Sequence, residues 1–477
     1  MNPPHATSPA RGVPAGDAVA IVGVAGVFPG AATAADLWRN VVAGVDAITE
    51  VPAGRWDPSF FDPDAKSADR FYCRRGGFVD DVATFDPLAF GIMPVTAESC
   101  EPDQLLALGA AQAALIDAGK VHERLDPTKV WVIGGRGGHL GAGVARLDQR
   151  VRTANQLAAV LRGLLPDLDE DRIRQVKEEF QDALGPERPE GSIGLVPNLA
   201  ASRIANRFDF RGPAYTLDAA CASSLIAVDH AVTQLLSGAA DLVLAGGVHH
   251  AHDLTLWSVF SQLRALSPSG GIRPFSENAD GILVGEGTGI LALRRLSDAL
   301  ADGDRVYAVI HGTGVASDGR ASSLMSPQAA GQQLAVEAAW LASGLDPARG
   351  GLIEAHGTAT PLGDRTELET LHAVFGGADS GPRAGLGSIK SMIGHAMPAA
   401  GAAGLIKTAL ALHHRTLPPT LHVEDPNEAV ARTRFRLITQ AEPWESDGPR
   451  LAGVNAFGFG GINAHVVLGQ APGTSVG

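Results

Sequence analysis

Cysteine is scarce: Cys73, Cys100 and Cys221 are the only three in 477 residues, and none lies in a CxxC pair. That count and spacing exclude a disulfide framework and a thiolate-rich zinc site. No window approaches the roughly 18 uninterrupted apolar residues that a membrane-spanning helix needs. Basic charge is also short, with 38 Lys and Arg against 52 Asp and Glu and a net charge of −14. A general nucleic-acid binder holds phosphates with a Lys/Arg surplus, so that class is excluded too. Residues 1–16 carry four prolines and no apolar core, and read as a frayed, disordered tail instead of a signal peptide. These absences point to the reducing cytoplasm.

What is present is ordinary globular material, 45% hydrophobic and 19% charged, enough to bury a large core. Ala18 to Gly23, Val130 to Ile133, Leu242 to Ala245, Val306 to Ile310 and Leu352 to Ala355 are short apolar runs ending near glycine. Helical stretches such as Asp36 to Ala43 and Asp103 to Ala118 alternate with them. Strands buried on both faces and separated by helices predict an α/β protein with a largely parallel sheet. Glycine-rich turns invite a nucleotide-binding reading, but neither GxGxxG after the first strand nor GxxxxGK[ST] anywhere occurs. From about 145 to 184 the chain is charged and helical, with Ile173, Val176, Phe180 and Leu184 on one face and Pro166 dividing it into two helices. This reads as a solvated surface insertion, with partner docking as the other reading.

Cys221 ends the run Ala214 to Ala220 and precedes a helical stretch, Leu225 to Leu236. A thiol on such a strand-to-helix turn lies near orphan amides and the positive end of the dipole, which favour thiolate and lower its pKa. On local sequence alone, nucleophile and small buried hydrophobe are equally good readings. His356 ends the run Leu352 to Ala355, where α/β sheets place their sites. His395 stands just before a small-residue helix, Ala399 to Leu412. His413 and His414 are expected only to favour a helix end. His249, His250 and His252 lack a completing ligand, so no metal site is expected. A thiolate suits acyl acceptance, and neutral imidazole N–H groups suit enolate stabilisation.

Cys221, His356 and His395 in that order, with the terminal Asn455 to His465 run, resemble the β-ketoacyl synthases, the condensing enzymes of fatty-acid and polyketide assembly. Val45-Asp46-Ala47-Ile48, Arg55-Trp56-Asp57 and Gly76-Gly77-Phe78 are similar to the type I polyketide branch. The resemblance implies a thiolase-like fold of two pseudo-duplicated α/β/α/β/α halves, 17–272 and 273–470, forming one body, with residues 471–477 as a tail. It implies Cys221 as acyl-accepting nucleophile, with His356 and His395 supporting malonyl decarboxylation. Lys390 would be ion-paired with Asp364 and Glu367, fixing both histidine loops. Thr358 and Thr360 would touch the phosphopantetheine arm of an acyl carrier protein, and no cofactor would be bound. Phe457 would gate the site and lend its N–H to an oxyanion hole with Cys221. A homodimer is implied, with neither nucleic acid nor membrane as partner.

Met392, Met397-Pro398, Ala359 and Gly91-Ile92-Met93-Pro94 depart from the modular pattern, and they resemble the iterative enediyne and polyunsaturated-fatty-acid branch. The alternatives are a non-elongating, carrier-binding gating homologue and a thiolase-type acyltransferase. Carrier docking is expected at Arg70, Arg74 and Arg75 or on residues 145–184. The short stretch after Leu468 suggests a discrete enzyme acting in trans, or else an excised domain.

Overall fold

A computed structural model describes residues 17–138, 141–186, 196–250, 254–321 and 323–473. The tail expected at residues 1–16, the last four residues and His252 lie outside these. One eleven-stranded sheet organises the chain. Its strands are β1 (Val19–Val27), β2 (Val130–Arg136), β3 (Ala214–Leu217), β4 (Leu242–His249), β5 (Gly287–Arg295) and β6 (Ala308–Ser317). They continue with β7 (Leu352–Glu354), β8 (Ala384–Gly387), β9 (Phe435–Leu437), β10 (Leu451–Gly458) and β11 (Ile462–Gln470).

Across the sheet the order is β9-β8-β7-β10-β11-β6-β1-β5-β4-β2-β3. A repeat is written into it. From the outer edge inward, β1 to β5 stand as third, second, fourth, fifth, first. The strands β8-β7-β10-β11-β6 stand in the same sequence, with β9 added outside. Pairing directions repeat as well: the first two contacts of each run are parallel and the next two antiparallel. The runs join antiparallel where Val19 to Ile21 meets Ala308 to Ile310. This is a mixed α/β sheet, less purely parallel than the run pattern predicted. β4 and β5 are buried at every position, which is why their sequences read as continuous apolar runs and not as alternation.

Two helices follow equivalent strands of the repeat. Ser223–Leu236 comes after β3, and Ala400–His414 after β8. They pack on one another, and Ser224 Oγ accepts from the Ala402 amide at 2.9 Å. The second helix is buried from Ala400 to Leu412, so its small residues set a close approach from every side. The repeat thus brings two helix starts together, one preceded by Cys221 and the other by His395.

Residues 142–183 are helical, in Ala142–Asp148, Ala154–Leu164 and Glu170–Ala183, and Pro166 stands in the break between the last two. Ile173 is buried, and Val176, Phe180 and Leu184 are half-buried on the inner side. The role expected of His413 and His414 needs correction. His414 stacks on Trp38 (5.1 Å, 13°) and His413 packs edge-on to Tyr307 (5.0 Å). Burial lowers both pKa values. They act as neutral packing rings rather than as charges at a dipole.

Candidate active site

Three loops converge beside the paired helices. The first leaves β3 and turns into Ser223–Leu236 through Ala220 at φ +49. Ser223 Oγ closes this turn, donating to the Ala220 carbonyl (2.6 Å) and accepting from the Ala219 amide (2.9 Å). A left-handed non-glycine residue costs about 1–2 kcal/mol, which the hydroxyl's two bonds offset. Cys221, 7% exposed, sits at the crest of the turn, in one apolar cluster with Ala359 and Met397 of the other two loops.

The second loop leaves β7 as His356-Gly357-Thr358-Ala359-Thr360. Glu367, on helix Pro361–Phe375, accepts from the His356 amide (2.8 Å) and the Gly357 amide (2.7 Å). Asp364 accepts from Ala359 (3.1 Å) and Phe275 (2.6 Å) in the same way. Both of those residues are left-handed, at φ +62 and +60. The carboxylate therefore steadies the one position where this chain carries alanine in place of the pattern's glycine. The Thr358 and Thr360 hydroxyls are 3.2 Å apart.

The third loop carries His395, docked through its backbone. Its N–H donates to the Leu283 carbonyl (2.7 Å), and its carbonyl accepts from the Gly285 amide (2.9 Å). Gly77 and Gly285 make room for this contact: a Cβ at either would lie 2.0 or 2.4 Å from the Ile393 carbonyl oxygen. The Gly76-Gly77 pair singled out in the sequence is thus part of the cradle. Met397, at φ +46, turns its N–H onto His395 Nδ1 (3.2 Å). Nδ1 is then the acceptor, and the ring proton is on Nε2.

Among the described residues, Nε2 of His395 and Nδ1 of His356 are buried without a hydrogen-bond partner. The two rings are 5.4 Å apart and nearly perpendicular, at 82°. Buried polar atoms are satisfied in the great majority of cases. Two unsatisfied imidazole nitrogens on neighbouring rings are left to meet a hydrogen-bonding group from outside the chain.

Lys390, 3% exposed, supplies the charge. Burial lowers its pKa, while Glu354, Glu367, Cys221 and Asp364 oppose that shift. Burial, with Lys390 and the facing ring, holds His356 well below the usual imidazole range; burial, Lys390 and His249 do the same for His395. Both are neutral at pH 7. The thiol departs from expectation. Burial pushes Cys221 up to about 11, against the pull of Lys390 and a hydrogen bond from the Phe459 amide. Removal of the sulfur from water outweighs the helix end, so the resting group is a thiol.

Two further expectations change in detail. Among the described residues no ion pair joins Lys390 to Asp364 or Glu367, because their oxygens are occupied by backbone amides. The buried ion pair nearby is Lys407 with Glu354, at 2.6 Å, and Glu354 also accepts from the Ile389 amide at 2.7 Å. Phe457 is buried beside His356, with ring centroids 5.7 Å apart, and the amide reaching the sulfur belongs to Phe459. β10 ends at Gly458, and the hairpin tip beyond it lies over Cys221. The Phe459 ring is 44% exposed and stacks on Phe260 at 5.9 Å.

Sequence reasoning also gave no role to Asn455 and His465, which face each other across the β10–β11 hairpin. Counting back from the Gly460-Gly461 tip would have paired them. The arginines proposed for docking form no free basic patch. Arg70 contacts Asp69, Arg74 contacts Glu50 at 3.0 Å, and Arg75 donates to the Gly270 carbonyl at 2.7 Å. Among the described residues no His/Cys/Asp/Glu group is arranged to hold a metal ion, and no helix is long and apolar enough to cross a membrane.

A thiol beneath a glycine-rich hairpin, packed with the loops that carry two neutral imidazoles on a duplicated sheet, is the arrangement of a condensing enzyme. The chain belongs to the β-ketoacyl synthase family and has its thiolase-like fold. Residues 16–299 match the family's N-terminal domain, 307–424 its C-terminal domain, and 426–476 the ketoacyl-synthetase C-terminal extension. It is a ketosynthase of the type I polyketide synthase kind. Polyketide synthase PksN of Bacillus subtilis (strain 168) is 36% identical over 467 residues, covering 94% of this chain and 8% of that protein. The spectinabilin polyketide synthase system protein NorA' of Streptomyces orinoci is 40% identical over 460 residues, covering 95% of this chain and 12% of that protein. The chain thus spans a small part of these relatives. The oxazolomycin ketosynthase domain OzmH KS7 of Streptomyces albus JA3453 superposes with a TM-score of 0.83 at 35% identity, covering 97% of this chain and 76% of that one.

Proposed function

We propose that the chain elongates carrier-borne acyl groups through Cys221, His356 and His395 by decarboxylative Claisen condensation. Cys221 Sγ attacks an acyl thioester, the displaced phosphopantetheine thiol takes up the proton, and an acyl-enzyme forms. Malonyl-acyl carrier protein then enters, with its arm against Thr358 and Thr360. Loss of CO2 leaves an enolate, whose oxygen takes hydrogen bonds from His395 Nε2–H and from His356. The enolate carbon attacks the acyl carbon, and the amides of Cys221 and Phe459 hold the resulting oxyanion. Collapse expels the Cys221 thiolate, which is reprotonated, and releases a β-ketoacyl chain on the carrier. Lys390 balances the charges of the site without touching substrate.

The observation that carries this reading is the pair of neutral, unpartnered imidazole nitrogens beside a shielded thiol. A hydrolase would need one imidazole as base and a group to orient it. Here Nδ1 of His395 accepts a backbone amide, which leaves its proton on the unpartnered Nε2. The departures at Met392, Met397-Pro398 and Ala359 support a polyene-type product. The strand order supports a division of the halves between residues 295 and 308, rather than at 272/273. Although Asn198 takes the Ala214 carbonyl and the Thr216 amide, β3 is the outermost strand at its end of the sheet and its four residues are half-exposed. That supports pairing with a second copy. Three free cysteines suit the reducing cytoplasm.

Incubation with acyl- and malonyl-carrier, read by intact mass of both proteins, tests the reading. Cys221→Ala should take no acyl group, and His395→Ala should load normally while losing at least a hundredfold in condensation. Acyl loading by Cys221→Ala removes the nucleophile assignment. Normal loading by the unaltered chain with no β-keto product favours the gating homologue instead.

A further inference from the structure

One line of hydrogen bonds enters the site from behind and ends on the backbone of His356. Trp340, on helix Ala329–Ser343, donates its indole N–H to His465 Nε2 at 3.1 Å. His465 Nδ1 lies 2.6 Å from Asn455 Oδ1. Asn455 Nδ2 donates to Glu367 Oε1 at 2.8 Å, and that oxygen also accepts from the His356 amide. Trp340, His465, Asn455 and Glu367 are each at most 2% exposed.

The direction of this line follows from chemistry. An indole N–H can only donate, so Nε2 of His465 must be the acceptor. The ring proton is then on Nδ1, which makes Asn455 Oδ1 an acceptor and turns its NH2 group onto Glu367. Without Trp340 the imidazole could hold its proton on either nitrogen, and the amide could rotate to set its oxygen against the carboxylate. Trp340 chooses one of the two arrangements, the one in which Glu367 receives a donor and keeps both oxygens aligned on the His356 and Gly357 amides.

We propose that Trp340, His465 and Asn455 are positioning residues for His356, acting through Glu367 to fix the loop for malonyl decarboxylation. The inference rests on the role given to His356 above. Decarboxylation uses the His356 ring and loading of Cys221 does not, so the relay should slow the first half-reaction more than the second.

The experiment uses the full chain, with Trp340→Phe, Asn455→Asp and His356→Ala. It follows decarboxylation of malonyl-carrier, acyl loading of Cys221, and thermal unfolding. Trp340→Phe removes one neutral hydrogen bond and should slow decarboxylation about three- to tenfold with loading within twofold. Asn455→Asp sets a carboxyl group against Glu367, with His465, Lys390, His356 and Asp364 the other titratable groups around it. Its decarboxylation should fall further at pH 8 and recover severalfold at pH 6, where a shared proton restores the donor. The unaltered chain should show no such recovery. Lowered melting temperatures with unchanged decarboxylation at 20 °C in both variants, or equal losses in both half-reactions, overturn the relay. Full decarboxylation by His356→Ala overturns the reading beneath it instead.

Discussion

Lys390 favours the charged form of the thiol and the neutral form of the two imidazoles, and replacing it by methionine isolates that effect. Its charge lowers the pKa of Cys221 and also those of His356 and His395. With the thiol at about 11, about one molecule in a thousand is thiolate at pH 8. A like-sized neutral side chain removes the nearest positive charge. An opposite charge beside a titrating group is worth about 1–3 units, and taking the low end gives about a tenfold smaller thiolate fraction. Alkylation of Cys221 by iodoacetamide, followed by mass spectrometry from pH 7 to 10, should therefore slow about tenfold at every pH while keeping a slope near one. The same substitution should raise the histidine pKa values toward 6.5. Burial still holds both imidazoles below the usual range, so the acid-side decline of decarboxylation should begin at a higher pH than in the unaltered chain. Faster or unchanged alkylation in Lys390→Met would refute this electrostatic account.

Two other outcomes are expected. Lys407→Met strands Glu354 as a buried unpaired charge, costing about 3–5 kcal/mol in urea unfolding, and a second change, Glu354→Gln, should return part of the loss; no loss in the single variant contradicts the pair's role in holding the Lys390 loop. Tyr215→Lys places a charge on the half-exposed outer strand β3 and should shift the chain from dimer to monomer in light scattering, whereas a monomeric unaltered chain ends that proposal.

Much of the molecule was legible in one dimension. The apolar runs at β1, β2, β4 and β7 could be read because strands buried on both faces leave a continuous signature. Cys221, His356 and His395 stood out through their order and their resemblance to a known family, since local sequence alone left the role of the thiol open. The pairing of Asn455 with His465 was accessible in principle, since a hairpin's register follows from its tip. By contrast, Asp364 and Glu367 looked like partners for Lys390, and only the fold showed their oxygens taken by amides. Arg70, Arg74 and Arg75 looked like a patch, and each turned out to be engaged by a neighbour.

The sequence by itself determined the order of strands and helices, the elbow at Cys221 and the small residues that let two central helices touch. These depend on local conformation and on periodic burial, which neighbouring residues encode. Tertiary structure alone decided the thiol's high pKa, the choice of the Phe459 amide over that of Phe457, and the proton position on His395. Each of these depends on which groups exclude water from an atom or reach it with a hydrogen bond, and those groups come from loops far apart along the chain.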